Sequence, residues 1–117
     1  MAKRIKKMTD RDLWMEFQRL NERFFQDKIV LNRIAFSNRL PAKNVSGVYN
    51  TMTKSILIDP GLRNYWVIVT ILLLHEMTHA YQDVLGYKGY PGDQGHGSLF
   101  HVEIGRLYQA GAYDSLL

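Results

Sequence analysis

The chain has 117 residues, 46% of them apolar, and a formal charge of +4 at pH 7. That length makes one compact domain with a single core, and the absence of Cys excludes both a disulfide framework and a thiolate metal site. No apolar run reaches the roughly 18 residues that span a bilayer, and the basic start MAKRIKKMTDRDLW has no apolar stretch behind it to form a secretory signal, so a cytoplasmic monomer without membrane contact is expected.

Residues 1–9 read as a flexible basic tail. Lys3, Arg4, Lys6 and Lys7 cluster there and are either solvated or in contact with an anionic partner such as nucleic acid. Thr9 and Asp12 then stand in N-cap and N3 positions, and Leu13, Phe17, Leu20 and Phe24 recur at spacings of four, three and four. That is an amphipathic helix of about five turns. Trp14, Phe24, Phe25 and Phe36 are expected in the core. RIAFSNRL reads as a strand, and GVYNTM and KSILID as two more, joined as a hairpin near Thr51 to Thr53.

Asp59 followed by Pro60 is an N-cap and first-turn pair, and the next helix is expected from about Pro60 to Leu85, with Gly86 as its left-handed stop. Its stretch from Trp66 to Leu74 is apolar but for Thr70, which places it across the middle of the fold. The segment GYKGYPGDQGHG reads as a loop, since it follows a helix and lacks the endings of a phosphate cradle. A last helix covers SLFHVEIGRLYQAGA, with Leu99, Val102 and Leu107 expected to point inward.

The chemistry lies in LLLHEMTHA, where an apolar run ends on two histidines and a glutamate. His75 and His79, four apart, lie about 40° apart on one helix face and a turn above each other. Two imidazoles so placed can bind one ion without bending the backbone. Glu76 lies about 100° round from His75 and about 60° from His79, beside the ion, where a base for a metal-activated water belongs. With four His and four Glu in the chain, shuffling yields HExxH in roughly half a per cent of sequences. Three unpaired polar groups also sit poorly on an interior helix face unless a cation satisfies them.

A catalytic zinc takes three protein ligands and leaves a position for water. Gln82 and Leu85 stand where the metzincin continuation needs Gly and His, so that class is excluded. His96, His101 and Glu103 are the candidates for the third ligand. His96 is favoured, because Gly95 and Gly97 on either side let the backbone approach a metal closely. Tyr65, Tyr81, Tyr87 and Tyr90 are candidates for a second donor to the developing oxyanion, against plain packing roles. Asp83, one turn past His79, either orients that imidazole or is solvated. Substrate is expected to add as a strand to a sheet edge.

LLHEMTHAYQDVLG followed by GHGSLFHVEIGRL resembles the SprT-like zinc metalloprotease domain, which includes the Spartan proteases. FQRLNERFFQDKIVLNRIAFSNRL is similar to that domain's opening helix and first strand, and VSGVYN to the strand after it. The resemblance spans about Leu13 to Leu107. It implies a single α+β domain of minimal zincin-like architecture, with an N-terminal helix, a small three-stranded mostly antiparallel sheet, a central HExxH helix and a C-terminal helix. It also implies Zn2+ held by His75, His79 and His96, Glu76 as catalytic acid/base, and peptide-bond hydrolysis in protein substrates, among them DNA-associated proteins. The alternative from another class is a nucleic-acid-binding module whose metal only holds the fold. A structural zinc prefers four protein ligands, and three good ones are on offer, which favours the enzyme.

Overall fold

The computed structural model describes residues 7–86 and 96–116. Lys3, Arg4 and Lys6 of the basic cluster lie outside the described residues, and Lys7 is exposed.

Helix α1 runs Asp10–Phe25 and starts as its sequence predicts. The Thr9 hydroxyl accepts from the Asp12 N–H at 3.1 Å while the Asp12 carboxylate accepts from the Thr9 N–H at 2.9 Å, a reciprocal capping box. Leu13, Phe17, Leu20 and Phe24 form its buried stripe together with Phe25. Trp14 does not join them: it lies about 100° round from Leu13 and is partly exposed. Gln26, in the left-handed region at φ 54°, ends the helix. Asn21 then fixes the exit, its side-chain amide donating to the Ile29 carbonyl at 2.8 Å and accepting from the Ile29 N–H at 3.2 Å.

Strands β1 (Arg33–Phe36), β2 (Gly47–Asn50) and β3 (Ser55–Ile58) form one sheet in the order β1-β3-β2. β2 and β3 are the expected hairpin. The Asn50 side chain accepts from the N–H groups of Met52 and Thr53, an Asx turn that reverses the chain. The sheet is mixed, however, and not mostly antiparallel, because β1 pairs with β3 in parallel. Ile56 and Ile58 of β3 are fully buried, so the sheet gains most with β3 at its centre. The hairpin then hands β3 to β1 in the same direction.

Asp59 and Pro60 do open a helical turn, with the Asp59 carboxylate accepting from the Gly61 N–H at 2.9 Å, but it is a 3-10 turn ending at Leu62. The long helix α2 starts later than expected and runs Trp66–Val84. Gly86, at φ 77°, supplies the left-handed residue after it. α2 packs between the sheet, α1 and α3, with Val69, Leu73, Leu74, Met77 and Ala80 in the core. It is not enclosed on every side. Trp66, Val67, Ile68 and Ile71 are each more than 40% exposed, so the first half presents an apolar face to solvent.

Helix α3 spans Ser98–Gln109. Phe100 and Leu107 are its buried residues, with Ile104 packed against the core. Leu99 and Val102 point outward instead, at 52% and 66% exposure. Phe100, Ile104 and Leu107 step by four and three and share a face, whereas Val102 and Leu107 are about 140° apart on a helical wheel. No helix among the described residues is long and apolar enough to cross a membrane.

Candidate metal centre

His75 and His79 stand a turn apart on α2, and His96 comes to them from the segment just before α3. The Nε2 atoms of His79 and His96 lie 3.0 Å apart and those of His96 and His75 3.2 Å apart. Ligand atoms of the three rings all fall within 4.8 Å of one another. Zn–N bonds of about 2.0–2.1 Å in a tetrahedron put nitrogens roughly 3.3 Å apart, so the spacing matches a first-row cation. The donor set also fits: three converging ring nitrogens cannot satisfy one another, since each neutral imidazole carries a single N–H.

Electrostatics favour the ligand form. Burial, followed by the charge of His96, pushes His75 below the ordinary histidine range. Burial, aided by His75 and His96, pushes His79 down to about 4. Both rings are therefore neutral at pH 7, as metal binding requires. Phe100 is the shared support. Its buried ring stacks on His79 at 4.7 Å between centroids with an interplanar angle of 28°. It meets His75 and His96 edge-on at 5.1 Å and 4.8 Å.

Glu76 is 6% exposed, beside the triad. Burial raises its carboxyl to about 7, against the opposing pull of a hydrogen bond from the backbone N–H of Tyr49. Strand β2 runs alongside: a Cβ placed on Gly47 would lie 3.6 Å from Glu76 Cγ. The Asp59 N–H donates to the Ser46 carbonyl at 2.8 Å just beyond β2. Alternation along the antiparallel pair then turns the peptide groups of Gly47 and Tyr49 away from β3, which is what brings the Tyr49 N–H to Glu76.

Asp83 joins two elements. Its carboxylate accepts from the Tyr49 hydroxyl at 2.7 Å and pairs with Lys54, tying the hairpin to the end of α2. Glu103 pairs with Arg106 and stays outside the triad; Arg106 also donates to the Phe24 carbonyl at 2.7 Å. His101 is exposed on α3. Tyr81 packs on Phe25 at 5.4 Å. Tyr65 precedes α2 by one residue, ten residues and about 15 Å of helix from His75. Tyr87, Tyr90 and Gly95 lie outside the described residues.

Two contributors escaped the sequence reading. Phe100 follows His96 by four residues in HGSLF, a spacing that could have flagged it. The Tyr49 N–H carries no sequence signal, because a backbone donor is available at any non-proline residue. Compared with known proteins, the chain matches no family model and none of the curated proteins.

Proposed function

We propose that the chain is a zinc-dependent metallopeptidase of the SprT-like kind, with His75, His79 and His96 as ligands and Glu76 as general base. The observation that carries this reading is the convergence of three imidazoles beside a buried carboxyl raised to about 7. Zinc bound there supplies a Lewis acid and an acidified water.

Glu76 is suited to the proton work. A carboxyl that titrates near neutrality both accepts a proton from the attacking water and returns it to the leaving amine. The Tyr49 N–H fixes the orientation of that carboxylate. β2 is an edge strand, and the outward peptide groups beside Glu76 suit an extended substrate added along it. Phe100 holds all three ligand rings in place. Among the described residues the cluster offers three ligands and no fourth, which supports catalysis over a purely structural ion. Lys3, Arg4, Lys6 and Lys7 are the contact to nucleic acid if the protein substrates are DNA-associated.

The test is Glu76→Gln. This variant should keep one zinc per chain and lose about 10²–10⁴-fold in the rate of casein cleavage. Cleavage at the wild-type rate would end the assignment. Unchanged binding of nucleic acid with no cleavage by either protein would favour the module with a structural metal.

A further inference from the structure

A cavity of about 390 Å³ adjoins the metal centre, and the His75 ring is part of its wall. Ile71, one turn before His75 on α2, lines it from one side. Phe100, Ile104 and Tyr108 line it from α3, and Tyr113 from the segment that follows. The three α3 residues recur every four positions, so they form one stripe of that helix. Phe100 is therefore shared: it supports the ligand rings and also lines the cavity.

The chemistry of the lining selects the occupant. Among the described residues no carboxylate, lysine or arginine lines the cavity, so a charged side chain entering beside them would give up water without gaining a partner. Besides His75, the lining includes His101, which is exposed. Burial raises the Tyr113 hydroxyl above its ordinary range. The volume lies within the range of small-ligand sites, which are mostly apolar and concave. Because the His75 ring is part of the wall, whatever fills the cavity lies beside the histidine cluster.

We propose that this cavity is the side-chain subsite of the peptidase and takes the large apolar residue, aromatic or branched aliphatic, that flanks the bond to be cleaved. The proposal rests on the peptidase reading above, and its direct test does not need turnover. Hydroxamates bind zinc and carry a variable tail. Zinc-loaded full-length protein is titrated calorimetrically with acetohydroxamate and with 3-phenylpropionohydroxamate. Burial of a phenyl group should make the second bind at least about tenfold more tightly. Ile104→Trp and Ile71→Trp fill the cavity from α3 and from α2, and each should bring the ratio of affinities back towards one. Ile71 is 43% exposed, so its variant tolerates the larger ring even where Ile104→Trp does not fold. Equal affinities in the wild type, or a ratio that persists in a folded, zinc-loaded variant, overturns the proposal.

Casein cleavage separates the two readings. Cleaved sites with Phe, Leu, Ile, Met or Tyr enriched at one flanking position support both. Cleavage without that preference and without discrimination between the hydroxamates leaves the peptidase standing and removes the subsite. Discrimination between the hydroxamates with casein uncut removes the peptidase and leaves an apolar binding site beside the metal.

Discussion

The two halves of α2 invert the usual rule of burial. From Trp66 to Leu74 the helix is almost wholly apolar, yet Trp66, Val67, Ile68 and Ile71 face solvent. From His75 to Val84 it is largely polar, yet Glu76, Thr78 and Gln82 are at most 6% exposed. Exposed apolar residues are common on folded proteins, whereas buried polar ones need a partner. In the second half those partners exist: the Thr78 hydroxyl donates to the Leu74 carbonyl at 2.8 Å, and Glu76 accepts from Tyr49. The polar half is thus organised around a purpose, and the apolar half supplies the rigid shaft that carries it.

Removing a ligand should produce the largest contrast. His96→Ala should lower zinc affinity by more than the roughly 10–100-fold that loss of a supporting hydrogen-bond partner costs. Glu103→Ala and His101→Ala should leave affinity unchanged, and metal content per chain after dialysis checks all three. If Glu103→Ala loses zinc instead, the ligand set is wrong.

Within the apolar half, position should decide the outcome. Leu73 is 0% exposed and Ile68 46%. Leu73→Ala should cost about 2–5 kcal/mol by leaving a cavity, while Ile68→Ala should stay within roughly 1 kcal/mol. Urea unfolding of both variants measures the difference. Equal losses would mean that the exposed face is covered.

pH sharpens the comparison in chelated, metal-free protein. Glu76 has a folded-state value of about 7, against 4.5 for an ordinary glutamate carboxyl. Its neutral form is therefore favoured by folding. That contribution is complete below about pH 4.5 and disappears as pH rises through 7. His79 has the opposite sign, since its folded value of about 4 makes stability fall as pH drops below about 6.5. Glu76→Gln removes only the first effect. Relative to wild type it should gain up to about 3 kcal/mol between pH 4.5 and pH 8, read from denaturant midpoints. A difference that does not change with pH would show that Glu76 is not desolvated.

The smallest effect lies where the sheet meets the polar half. Tyr49→Phe removes the hydroxyl that donates to Asp83 and should cost about 0.5–1.5 kcal/mol, the net contribution of a typical intramolecular hydrogen bond. The same variant leaves the backbone donor to Glu76 in place, so the rate of casein cleavage should fall by less than in Glu76→Gln. A loss of rate as large would assign the phenol itself to the chemistry.

Local signals were legible, and of the long-range ones only the histidine cluster was. The capping box of Thr9 and Asp12, the hairpin near Thr51 to Thr53 and the Gly86 stop are each set by residues within a few positions, and each is found where it was expected. The approach of His96 to His75 and His79 was readable from ligand chemistry and flanking glycines, though it spans seventeen positions or more. The start of α2 was misjudged because Asp59-Pro60 caps a separate 3-10 turn with the same signature. The parallel pairing of β1 with β3 was hidden because four-residue strands encode which face is buried and say nothing of their neighbour. Trp14, Leu99 and Val102 went wrong through hydrophobicity alone, since their neighbours already filled the inward stripe.

Helix α3 is fastened at its two ends in different ways. Near its last turn, Arg106 bolts it to the carbonyl of Phe24 and lies over the rings of Phe25 and Tyr81. Near its first turn, the clasp is His96 and Phe100 against the two histidines of α2, and an ion held by the three imidazoles would lock it. With an ion there, one fastening would be permanent and the other removable, so that loss of the ion would unlatch a single end and leave the helix hinged at Arg106.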